Sequence, residues 1–197
     1  MNKAVLISIR PKWCDLIIRG EKTLEIRKTR PKLETPFKVY IYCTKARQHI
    51  ITIFKDGEET MDGEIHHGKS EFIKCNEHLP DSVRDKTRMV IGEFICDDIH
   101  RIGPENCIVK EDIESAIAGS CLTIQQVKDY AGWKSGMRYA DLKDLYGWHI
   151  SELKIYDKPR ELRAFTGLLN TRFGVRPVEA QRPPQSWCYV EENGGHI

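Results

Sequence analysis

Two runs in this chain are apolar without alternation: Ala4-Val5-Leu6-Ile7-Ser8-Ile9 near the start and Met89-Val90-Ile91-Gly92-Glu93-Phe94-Ile95-Cys96 near the middle. Each is short, and each suits a strand covered on both faces. Pro11 stands where a helix can open, Trp13, Leu16 and Ile17 give that helix one apolar face, and Gly20 ends it. Thr23 to Arg27 reads as a second strand and Phe37 to Thr44 as a third. In the third, Phe37, Val39, Ile41 and Cys43 alternate against Lys38, Tyr40, Tyr42 and Thr44.

Further along, Thr123-Ile124-Gln125-Gln126 has the form of a capping box. The helix it opens ends at Gly132. Asp141 to Tyr146 reads as a short helical turn, Trp148 to Tyr156 as a strand stopped by Pro159, and 160–180 as irregular and partly helical. Ser186 to Val190 reads as the last strand. Residues 46–88 read as an insertion, with Ile50 to Phe54 and Glu71 to Cys75 as strands of a hairpin. Many short strands with few helices favour a closed barrel over a doubly wound sheet. One domain over 1–190 is expected, with a flexible tail at 191–197.

The chemistry concentrates in Gly20-Glu21-Lys22-Thr23-Leu24-Glu25-Ile26-Arg27. Thr23, Glu25 and Arg27 share one face of a strand, and Lys22 sits in the turn before it. Such a cluster can hold an anion, a polar base edge or a carbonyl. The spacing G-x-K-x-x-E-x-R resembles the signature of the ASCH domain family, a branch of the PUA-like β-barrels. Leu6 to Pro11, Val90 to Phe94 and Arg182 to Val190 resemble its first, central and closing strands. The resemblance implies an α+β fold: a PUA-like closed β-barrel with flanking short helices and an inserted hairpin. It also implies binding of RNA, single-stranded nucleic acid or a modified nucleoside.

The expected ligand cleft is lined by Lys22, Glu25, Arg27, Tyr42, Glu93, Ser186 and Trp187. Arg27 and Lys22 would meet phosphate or a carbonyl while an aromatic ring stacks on a base. Glu93, a lone carboxylate in an apolar run, is expected to pair with Lys22 or Arg27. The alternative is an enzyme, with Lys22, Glu25 and Glu93 as catalytic groups acting on acylated cytidine or cleaving RNA. In amidohydrolase relatives a threonine stands three residues after the matching lysine. Here that position is Glu25, so the hydroxyl of their mechanism is missing.

Net charge is only +2, so nucleic-acid contact must come from local clusters such as Arg27, Lys28, Arg30 and Lys32. The seven cysteines include no C-x-x-C pair, which suggests reduced thiols and a cytoplasmic location. No apolar run reaches membrane-span length. His66, His67, Cys75 and His78 match no standard zinc spacing, so neither a metal nor a cofactor is expected.

Overall fold

The structure is a computed structural model that describes residues 2–53, 71–76, 78–103, 105, 110–134, 136–138 and 141–192, with backbone alone at 48–53, 71–76 and 110. The two unalternating apolar runs form β1 (Lys3–Ile9) and β6 (Met89–Cys96), with β3 (Phe37–Cys43) between them. β1 and β3 are parallel, and β3 and β6 antiparallel. A parallel pair needs a crossover. Here α1 (Pro11–Ile18) and β2 (Leu24–Arg27) supply it.

Both faces of this sheet are covered, which is why β1 does not alternate. Val5, Ile7, Ile9, Val39, Ile41 and Cys43 pack with Cys14 and Ile17 of α1 and with Trp148. On the opposite face Ala4, Leu6, Tyr40 and Tyr42 pack with Tyr156, Leu162 and Phe165. Val83, from the stretch read as an insertion, is fully buried in the first of these clusters. Within the same stretch β4 (Gln48–Ile53) and β5 (Glu71–Asn76) pair antiparallel as a sheet of their own. His66 and His67 lie outside the described residues.

The sheet is not a closed barrel. With β9 (Ser151–Glu161), β10 (Thr166–Thr171), β11 (Gly174–Glu179) and β12 (Trp187–Glu191), its seven strands run β11-β10-β12-β1-β3-β6-β9, and the two outer strands do not pair. β2 instead joins β8 (Leu145–His149) and β7 (Ile99–Ile102) in a separate three-stranded sheet, order β2-β8-β7. Leu24, Ile26, Ile102 and Leu145 of that sheet pack on Ile113 of α2 (Lys110–Ala116) and Val127 of α3 (Ile124–Ala131). The architecture is mixed α+β and mostly sheet.

Four local expectations are corrected. The helical turn expected at Asp141 to Tyr146 gives way to β8, which starts at Leu145. The strand expected over Trp148 to Tyr156 divides at Ile150 into β8 and β9, in different sheets. Pro159 does not stop β9. It falls where Gly92 pairs with Ile155 but Val90 pairs with Arg160, an irregular stretch on an edge strand that spares the missing N–H. Of the stretch expected to be irregular and partly helical, Leu162–Ala164 is a short 3-10 turn, but residues 166–179 are a β-hairpin. Most of its side chains are exposed, so no buried face imposed alternation on the sequence.

Cys14, Cys43, Cys96, Cys121 and Cys188 are free thiols. Burial pushes Cys96 up to about 12 and Cys188 to about 11. α3 carries the full capping box between Thr123 and Gln126 and ends on left-handed Gly132. Among the described residues no helix is long and apolar enough to cross a membrane.

Gly92 marks a tight crossing of β6 and β9. A Cβ there would lie 2.5 Å from the Lys154 carbonyl oxygen. Gly92→Ala is expected to destabilise the protein by ~1–3 kcal/mol, as overpacking against backbone does. Urea unfolding monitored by tryptophan fluorescence checks this.

Candidate functional site

Gly20 turns the chain with φ of 72°, a conformation that favours glycine. The amides of Glu21 and Lys22 then donate back to the Leu16 carbonyl, at 2.9 and 3.1 Å. Thr23 and Leu24 donate in turn to the Gly119 carbonyl, at 2.9 and 3.0 Å. This docks the motif on the 119–122 turn, which leads directly into α3.

Lys22 is buried, at 3% exposure. Its ammonium donates to the carbonyls of Leu24 (2.6 Å) and Ser120 (2.8 Å) and pairs with Glu25 Oε2 at 3.2 Å. Those three acceptors match the three N–H bonds of an ammonium. The ammonium also lies 5.5 Å from the centre of the Trp13 ring.

Glu25 Oε1 takes the second cation, Arg27 Nη2, at 2.9 Å. Arg27 Nη2 also donates to the Ser8 carbonyl at 2.7 Å, and Nη1 approaches Ser186 Oγ at 3.3 Å. Ser8 completes the tie by donating its hydroxyl to the Pro184 carbonyl at 2.7 Å. Arg27 Nε is buried and has no hydrogen-bond partner among the described residues. One carboxylate thus serves two buried cations, leaving a net positive charge where burial makes charge costly.

This cluster borders an open cavity of about 470 Å³. Ser8, Arg10, Trp13, Gln126, Tyr130 and Gln185 are among its other lining residues. Burial raises the Tyr130 phenol above its ordinary range, with the Arg27 charge acting the other way. The phenol therefore stays neutral at physiological pH and can donate or accept. Lys28 Nζ sits 5.1 Å from the Tyr130 ring centre.

Of the residues expected to share one cleft, Lys22, Glu25, Arg27 and Ser186 line this cavity, while Tyr42, Glu93 and Trp187 are not among its lining residues. Tyr42 is buried in the cluster on the other face of the large sheet. Glu93 pairs with neither Lys22 nor Arg27. It accepts from the Tyr156 hydroxyl at 2.5 Å and pairs with Lys38 at 3.6 Å. Trp187 packs between Trp148 and Tyr189 and donates its Nε1–H to Thr29 Oγ1 at 3.0 Å. Sequence reasoning does not find Gln126 and Tyr130. Their spacing of four on a recognisable helix puts them on one side of it, but nothing local ties that side to a motif a hundred residues earlier.

The ASCH domain model matches residues 7–164, and the chain belongs to the ASCH domain family. Among solved structures, the chain is similar to an ASCH protein from Zymomonas mobilis, with 17% identity over 96% of this chain and 88% of that one and a TM-score of 0.47. A tyrosine-to-phenylalanine variant of the Zymomonas mobilis protein gives 15% identity, coverage of 97% and 92%, and a TM-score of 0.48. Comparison with curated proteins finds no match.

Glu25 is the group on which both cations depend. Glu25→Gln is expected to cost ~3–5 kcal/mol, because it leaves buried charges uncompensated. Glu93→Gln is expected to cost no more than about 1–2 kcal/mol, since glutamine can still accept from Tyr156. Parallel denaturant melts of the two variants check the contrast.

Proposed function

We propose that the protein binds RNA or a nucleotide in the cavity bordered by Lys22, Glu25 and Arg27. The observation that carries this is the pair of buried cations sharing one carboxylate beside an open cavity. The residual positive charge, joined by Arg10, suits a phosphate or a polarised carbonyl. The cavity volume lies in the ordinary range for small-ligand sites. Trp13 and Tyr130 offer aromatic faces to a base, and Gln126 and Gln185 offer amides to its polar edge. ASCH family membership is consistent with a nucleic-acid ligand.

The same geometry favours binding over hydrolysis. Each Glu25 oxygen holds a cation, and the Lys22 ammonium is surrounded by acceptors. Glu93, required by the enzymatic alternative, is engaged with Tyr156 and Lys38 instead. Because Glu93 does not line the cavity, the three groups that the enzymatic alternative needs do not converge on one site.

Fluorescence anisotropy with a labelled twelve-nucleotide oligouridine, and competition with uridine monophosphate, tests the proposal. Tyr130→Ala is expected to weaken both ligands about tenfold, in line with the ~1–3 kcal/mol of one base stack. Its melting temperature should change little, because the side chain is partly exposed. Absence of binding to either ligand at low salt overturns the proposal.

A further inference from the structure

The β10–β11 hairpin presents groups that the cavity does not use. Phe173 at its tip is 86% exposed, and Leu169 and Val175 in its two strands are 54% and 43% exposed. The Arg172 guanidinium lies 4.6 Å from the centre of the Phe173 ring. The tip is held in shape by Thr171, whose hydroxyl donates to the Gly174 carbonyl at 2.8 Å and accepts from the Phe173 amide at 3.2 Å. An aromatic ring is therefore displayed to solvent on an ordered turn.

The charge here is also unlike the rest of the chain. Residues 162–182 carry four arginines, at 163, 172, 176 and 182, against the single acid Glu179. That is a net +3 in a protein whose total is +2, so the remaining residues sum to −1. All four arginines are exposed. None is ion-paired with a carboxylate among the described residues. Register sets Arg176 beside Leu169, so cation and apolar group alternate rather than forming one apolar patch. Pro177 lies in the outer strand and lacks the N–H that an added protein strand would need.

We propose that this hairpin is a second contact for single-stranded nucleic acid, with Phe173 stacking on a base and Arg172 and Arg176 meeting phosphates. Interleaved aromatic and cationic groups are what sequence-tolerant single-strand binding requires. The strand's path rests on the cavity proposal. β10 is antiparallel to β12 and starts with Gly167 opposite Val190, so the hairpin extends toward the sheet end where Ser186 lines the cavity. A strand seated in the cavity would continue onto the hairpin.

The test compares the twelve-nucleotide oligouridine with uridine monophosphate on full-length protein. Phe173→Ala should weaken oligouridine about tenfold and leave uridine monophosphate unchanged. Arg172→Gln with Arg176→Gln should lower the salt slope for oligouridine by about 1.4, at ~0.7 per phosphate contact on a single strand. Unchanged oligouridine affinity in both variants overturns the hairpin proposal while leaving the cavity intact. Oligouridine binding that depends on Phe173 in a protein that binds no uridine monophosphate supports the hairpin and overturns the cavity proposal. If sedimentation shows self-association that Phe173→Ala abolishes, with oligouridine affinity intact, the hairpin serves a second copy and the proposal fails.

Discussion

The division of the Glu25 carboxylate between Lys22 and Arg27 organises this end of the molecule. Each oxygen holds one cation, and each cation then reaches backbone carbonyls in a different segment. Lys22 reaches Ser120 before α3, and Arg27 reaches Ser8 at the end of β1. A short motif in the crossover between two parallel strands therefore joins the large sheet to the three-stranded sheet and its helices. Remove the central charge and both cations remain buried without compensation, which is far costlier than losing an exposed pair.

The same contacts shape the cavity. Its walls come from α1, β2, α3 and the 183–186 loop, all of which touch the cluster or the turn that docks it. The cations are not free to reach out for a ligand, because their directional bonds are already taken. What they supply is a fixed positive field, and among the described residues the buried Arg27 Nε finds no hydrogen-bond partner. If the cavity takes a ligand as proposed, this fixed arrangement keeps the ordering cost of binding small.

Legibility in the sequence followed the range of each interaction. Gly20, Lys22, Glu25 and Arg27 lie within eight residues, so helix capping and strand parity were enough to group them. Glu93 shows where local reasoning ends. An apolar run says that its carboxylate needs a partner, but Lys38 and Tyr156 were chosen by strand register. Sheet closure was illegible for the same reason: strand number can be counted along a chain, but which outer strands pair depends on β2 leaving for another sheet. The 166–179 hairpin lacked a buried face, and with it the periodicity that marks a strand.

The most direct test of the site uses two buried N–H groups that lack partners among the described residues, Arg27 Nε and Trp148 Nε1. Arg27 lines the cavity, and Trp148 lies within the apolar core. Nitrogen-15 NMR during titration with uridine monophosphate follows both in one experiment. If the clustered cations form a ligand site, the Arg27 Nε–H resonance shifts saturably while that of Trp148 stays in place. An Arg27 resonance that does not move at saturating ligand, or that moves no more than Trp148, contradicts it.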